Sequence, residues 1–208
     1  MLLTFGFFAF GYFSGSILFA KVYGSLFNKD VVSASYDKNP GAANAFINGG
    51  ITIGTLTLIG DLFKGFLPVF LYLKLAGGTA PGLALVLPAP VLGHNYSVFY
   101  RFTGGKGIAV SFGCLLGLAP DFLPVLILAL IYIALSVVVA VSPNFYRSIV
   151  TYTLVTVAAF FTVPEFGIKT GMALISALVI IKHISSREER QKCRISLPVN
   201  KLFKRYNK

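Results

Sequence analysis

The chain has 208 residues, of which 56% are hydrophobic and only 12% charged, and its mean hydropathy is +0.79. Charged residues make up about a quarter of an ordinary soluble domain, so this composition excludes a soluble enzyme, a disordered tail and a disulfide scaffold. The net charge of +11 would suit a nucleic-acid binder, but nine of the 18 Lys and Arg fall in residues 182–208. A basic run directly after an apolar segment reads as a cytoplasmic tail beside anionic lipid headgroups, so no nucleic-acid partner is expected.

Charges and turn residues cut the chain into seven apolar blocks, over residues 2–27, 51–75, 81–100, 107–119, 122–141, 148–163 and 166–181. A helix needs about 20 apolar residues to cross a hydrocarbon core of roughly 30 Å, and continuous apolar runs without a polar stripe favour lipid-embedded helices. The expected fold is therefore an all-α integral membrane protein of seven transmembrane helices, one membrane domain over residues 1–208 with a basic tail over 182–208. The first block lacks a basic leading segment and reads as a retained span, not a cleaved signal. The fourth is short and must borrow from its flanking loops or tilt less than its neighbours. With the tail inside, the inner segments hold fourteen Lys and Arg against two outside, Lys74 and Lys169. That asymmetry puts the N-terminus outside and the C-terminus in the cytoplasm. Small residues four apart, at Gly11/Gly15, Gly50/Gly54 and Gly113/Gly117, are expected to let helices approach closely.

Two inner loops are unusual. Residues 28–50, rich in Asn, Gly, Ser and Ala, form a long connection with no helical or strand pattern, a length that usually goes with function. Within it Asn39, Gly41 and Asn44 can turn amides toward a ligand, and Lys38 adds charge. Residues 101–107 end in Gly104-Gly105-Lys106-Gly107 and open a helical run. Glycines let backbone N–H groups converge on an anion, and a following helix N-terminus adds about half a positive charge. Gly107 stands where a nucleotide-binding loop needs Ser or Thr for magnesium, so the expected ligand is a phosphate without metal. His94 and His183 are the two histidines and no Cys/His cluster accompanies them, so no metal or cofactor is expected. Cys114 and Cys193 lie in an apolar run and in the tail and are not expected to pair. Asp61 and Lys64, three apart inside a span, should pair with each other and face the bundle, since a lone charge there costs at least about 2.5 kcal/mol.

In chain order, Gly15-Ser16-Ile17, Asn39-Pro40-Gly41-Ala42-Ala43-Asn44, Asp61-Leu62-Phe63-Lys64-Gly65, Gly93-His94-Asn95-Tyr96 and Gly104-Gly105-Lys106-Gly107-Ile108-Ala109, followed by His183 after the last span, resemble the bacterial integral-membrane glycerol-3-phosphate acyltransferases that use acyl phosphate (the PlsY type). The resemblance implies seven spans, a site at the cytoplasmic face of a bacterial inner membrane, and acyl phosphate and glycerol 3-phosphate as substrates. It puts Lys106 with the backbone of Gly104, Gly105 and Gly107 on one phosphate. Lys38, Asn39, Gly41 and Asn44 serve the other or the oxyanion, and His94 and His183 are the candidate proton acceptors. The chain also departs from that family. Val32-Ser33-Ala34-Ser35-Tyr36-Asp37-Lys38 precedes Asn39 where the family usually has Arg and then Gly-Ser-Gly, Ala43 replaces Thr, Ser97 replaces Pro, Val110 replaces Thr, Ser186 replaces Asn, and the Gly-x-Glu that should follow is gone. The family's Arg and Ser near the fifth span are echoed only by Ser136. A catalytically inactive phosphate- or lipid-binding paralogue therefore stands as a second reading, and a small transporter or channel as a third.

Overall fold

Local sequence breaks decide where helices start and stop in the computed structural model, which describes residues 1–77, 80–187 and 190–197. The first apolar block is two helices, α1 (Leu2–Ser16) and α2 (Phe19–Leu26), bent by 41° at the break. Helix α3 runs over Ala42–Ala76 and corrects the expectation of a structureless connection over residues 28–50. Ala42, Ala43 and Ala45 are strong helix formers, and the helix starts among them. It is interrupted at Gly50, whose φ of +84° and ψ of −176° mark a kink that glycine adopts without a Cβ penalty. Gly50 has open space around its Cα, so it serves the kink and not the close packing its spacing suggested.

The third block breaks into α4 (Ala80–Val86), α5 (Ala89–Asn95) and a 3₁₀ turn (Val98–Tyr100), with Pro88 and Pro90 marking the start of α5. Helix α6 (Ile108–Leu116) is short, as its block is. Helix α7 (Leu123–Ile133) runs into a π turn (Ala134–Val138). Helices α8 (Asn144–Thr162) and α9 (Phe166–Ser185) follow, the latter capped by the Glu165 carboxylate, which accepts from the Ile168 N–H at 2.5 Å. One feature departs from an all-helical chain. Strand β1 (Ala140–Ser142) pairs antiparallel with β2 (Arg194–Ser196), Val141 opposite Ile195, and so ties the middle of the basic tail to the turn before α8. Residues 188–189 and 198–208 of that tail lie outside the described residues.

Small residues bring two helix pairs close. A Cβ at Gly15 would overlap the Pro90 carbonyl and one at Gly93 the Tyr12 carbonyl, so α1 lies backbone to backbone on α5; Gly113 meets the Leu62 carbonyl in the same way, joining α6 to α3. The polarity of the surface is inverted relative to a soluble protein. Asp61, Lys64, His94, Asn95, Thr151 and His183 are buried, whereas Phe5, Ile59, Phe63, Leu130, Phe160 and Phe161 are exposed. Lipid explains this: apolar side chains cost nothing against acyl chains, while polar groups must find partners inside. Among the described residues, three helices, α3, α8 and α9, are long and apolar enough to cross a membrane, and a fourth span arises if the bent α1–α2 pair counts as one.

Candidate functional site

Between the start of α3, the N-terminus of α6 and the start of α8 lies a cavity of about 500 Å³. Its wall mixes polar side chains, Asp37, Asn39, Asn44, Lys106, Asn144 and Arg147, with apolar or aromatic ones, Leu58, Ile108, Phe112 and Tyr132. The candidate site residues from the sequence divide on this wall. Asn39, Gly41, Asn44, His94, Lys106 and Gly107 line the cavity; Lys38, Gly104, Gly105 and His183 do not. Lys38 is exposed and holds a φ of +48°.

Lys106 is buried, 7% exposed, rather than snorkelling from a loop. Its Nζ donates to Asp37 Oδ2 at 2.6 Å. The other oxygen of Asp37 accepts from Asn44 Nδ2 at 2.8 Å and from the Asn39 N–H at 3.1 Å. Partial burial pushes the Asp37 carboxyl up, but the hydrogen bonds from Lys106 and Asn44 and the Lys106 charge outweigh it and hold the group below the ordinary carboxylate range. The Asn39 side-chain oxygen is buried without a hydrogen-bond partner.

The glycines before Lys106 act differently from a phosphate cradle. The Gly105 N–H donates to the His94 carbonyl at 2.9 Å, so it is already spent, and a Cβ at Gly104 or Gly105 would strike the carbonyl or the ring of His94. These two glycines let the loop lie flat on the end of α5. Gly107 alone of the three faces the cavity; its φ of +82° caps α6, so the N–H groups of the first turn, which lack intrahelical partners, begin at the cavity wall.

His94 is held by a buried lysine. Lys64 Nζ contacts Asp61 Oδ1 at 2.7 Å, the Ile17 carbonyl at 2.6 Å and His94 Nδ1 at 2.9 Å. An ammonium has three protons and no acceptor, and these three partners use them all. Nδ1 must then carry the lone pair and Nε2, which lies against Gly105, the proton, so His94 is a donor and not a base. His183 holds the opposite tautomer: Nδ1 lies 2.9 Å from the Val179 carbonyl, which only accepts, so the proton is on Nδ1. The two histidines that looked equivalent in the sequence are thus chemically distinct.

Three wall residues were not singled out from the sequence: Asp37, Asn144 and Arg147. Arg147 was counted only as an inner-side charge. Its Nη2 donates to Asn144 Oδ1 at 2.6 Å, its guanidinium lies 5.7 Å from the Tyr132 ring centre, and its Nε is buried without a hydrogen-bond partner. The i,i+3 spacing of Asn144 and Arg147 was readable; their approach to a loop over a hundred positions earlier was not.

The family model described as glycerol-3-phosphate acyltransferase matches residues 5–191. A glycerol-3-phosphate acyltransferase of Burkholderia pseudomallei (strain 1710b) is 42% identical over 109 residues, 52% of this chain and 54% of that protein. One from Ralstonia nicotianae is 36% identical over 178 residues, 83% of each. The chain therefore spans about half the length of the Burkholderia relative and most of the Ralstonia one. Among solved structures, PlsY (YgiH), an integral membrane glycerol 3-phosphate acyltransferase in its glycerol 3-phosphate form, superposes with a TM-score of 0.73 at 28% identity, covering 87% of this chain and 88% of that one.

Proposed function

The chain belongs to the glycerol-3-phosphate acyltransferase family, and on that premise we propose that it moves a fatty acyl group from acyl phosphate to glycerol 3-phosphate, giving lysophosphatidic acid for phospholipid synthesis. The observation that carries this reading is one cavity whose wall holds two cations, Lys106 and Arg147, together with Leu58, Ile108, Phe112 and Tyr132. Such a cavity suits a soluble anion meeting a lipid chain.

The chemistry asks little of the protein. A glycerol hydroxyl attacks the acyl carbonyl, the bond from the carbonyl carbon to the phosphate oxygen breaks, and the leaving phosphate takes the proton. Acyl phosphate is already activated, so no enzyme nucleophile is required; positioning and charge stabilisation supply the rate. Lys106 and the N-terminus of α6 hold one phosphate. Arg147 holds the other in a planar fork suited to it. Asn39 and Asn44 face the ligand between them, with Gly41 keeping the loop close. His94, with its proton on Nε2, serves as a donor and takes no proton. Lys38, outside the wall, contributes long-range attraction.

We further propose, on the resemblance, one seven-span domain in a bacterial inner membrane; the fourteen-to-two charge asymmetry of that division supports an outside N-terminus and a cytoplasmic basic tail. Accessibility labelling of the two termini checks this; both ends on one side would overturn it. The activity is tested by supplying acyl phosphate and glycerol 3-phosphate to purified protein in lipid nanodiscs. Lysophosphatidic acid should form only with both present. Phosphate binding without product would leave the inactive-paralogue reading in its place.

A further inference from the structure

Asp37 occupies three donors on the cavity wall. Its two oxygens accept from Lys106 Nζ, Asn44 Nδ2 and the Asn39 N–H, at 2.6, 2.8 and 3.1 Å. All three donors belong to residues of the cavity wall. A tethered carboxylate therefore sits where these three donors converge. We propose that Asp37 is an internal competitor for that seat and sets its selectivity, shutting out carboxylates and admitting phosphate. The inference rests on the glycerol 3-phosphate reading above.

A group attached two positions from Asn39 presents itself to Lys106 at an effective concentration of millimolar or more. An incoming carboxylate offers the same charge and the same two oxygens, so exchanging it for Asp37 gains nothing. A phosphate ester near neutral pH brings up to two charges and three oxygens and can reach the α6 N-terminus as well as Lys106. Every ligand that takes Lys106 meets the same cost of displacing Asp37; a phosphate differs because the α6 N-terminus can hold it with Asp37 still seated. Selectivity of this kind comes from a cost laid against the wrong ligand, and it is paid in overall affinity.

The competitor is opened by exchange and not by proton uptake. Lys106 is the cation in contact with it; Lys38 beside it is exposed, and Asp61, His94, Tyr132 and Arg147 share the same cavity wall. The Asp37 carboxyl is held below the ordinary carboxylate range, so it stays charged across the physiological span.

The test uses full-length protein in nanodiscs, with glycerol 3-phosphate and glycerate, a three-carbon polyol carboxylate, as probes for titration calorimetry. Wild type is compared with Asp37→Asn and Asp37→Ser, the melting temperature confirming that each is folded. Glycerate affinity should rise at least about tenfold in both variants, the scale of one lost charge-assisted contact, while glycerol 3-phosphate gains less, so the preference for phosphate falls. An unchanged preference, with glycerol 3-phosphate still bound and turned over, overturns the competitor alone. Weaker binding of both probes makes Asp37 a support for Lys106 and overturns it too. Failure of every protein to bind glycerol 3-phosphate removes the substrate reading and the competitor together.

Discussion

Two lysine–aspartate pairs lie in this protein at almost the same distance, Lys64–Asp61 at 2.7 Å and Lys106–Asp37 at 2.6 Å. Their surroundings are opposite. In the first, both side chains are 2% exposed and the ammonium spends its remaining protons on the Ile17 carbonyl and on His94. In the second, the exposures are 8% and 17%, and the aspartate comes from a loop over a ligand-sized cavity. An ion pair closed on every side is part of the scaffold, because no outside group can replace either partner. One that opens on a cavity is exchangeable, and exchange is what a binding site requires.

The largest effect that would separate the two pairs is on stability. Lys64→Met leaves Asp61 buried without its cation and should cost about 3–5 kcal/mol, read as a steep fall in melting temperature in detergent. The double variant Asp61→Asn with Lys64→Met should recover most of it, since no charge is then stranded. If Lys64→Met melts no lower than Lys106→Met, the two pairs are equivalent and the contrast fails.

Next comes function at the exchangeable pair. A charge-assisted contact to phosphate is worth about 1.5–3 kcal/mol, so Lys106→Ala should lose roughly 10- to 150-fold in kcat/KM for glycerol 3-phosphate. Folding should survive, because Asp37 sits on a loop that can turn to water. Lys106→Arg should restore only part, as a flat fork fits poorly where a compact ammonium lies against glycines. Unchanged kcat/KM in Lys106→Ala would leave the phosphate without its main cation and require another seat.

A smaller effect concerns pH. The folded state lowers the pKa of Asp37, so the unfolded chain binds protons first as pH falls, and the pair stabilises the loop above the ordinary aspartate value of about 3.9. That contribution is lost as pH drops through the folded value. The amide chemical shift of Asn39, whose N–H donates to Asp37, should therefore stay flat from pH 7 to about 4 and move only below it, and Asp37→Asn should abolish the movement. A transition already near pH 6 would contradict the pairing with Lys106.

These pairs also mark how far the sequence could be read. Asp61 and Lys64 were legible because three positions on a helix is a fixed geometry, and a charge in lipid must find a partner. Lys106 was legible as a cation at a helix start, but not its burial, nor that Gly104 and Gly105 press on His94 and leave Gly107 to face the cavity. Asp37 and Arg147 were not legible, since a loop before α3 and the first turn of α8 meet only through the packing of the helices between them. The β1–β2 pair was invisible for a similar reason. Three residues per strand leave no periodicity, and the register depends on where the chain returns after α9.

The smallest expected effect lies next to the exchangeable pair. Lys38 holds a φ of +48°, a left-handed conformation that costs a side-chain-bearing residue about 1–2 kcal/mol. Glycine adopts it freely but loses about 0.4–1 kcal/mol more entropy on folding. The difference favours Lys38→Gly by about 0.5–1 kcal/mol, which should appear as a small rise in melting temperature. Because Lys38 is exposed and outside the cavity wall, its charge acts on the ligand only through screened solvent, where a Debye length of about 8 Å at physiological salt limits its reach. KM for glycerol 3-phosphate should then change less than about twofold at that ionic strength, with a larger rise at low salt. A loss in kcat/KM approaching that of Lys106→Ala would instead mean that the loop closes on the ligand and brings Lys38 onto the phosphate, and the exchangeable pair would need a second cation in its description.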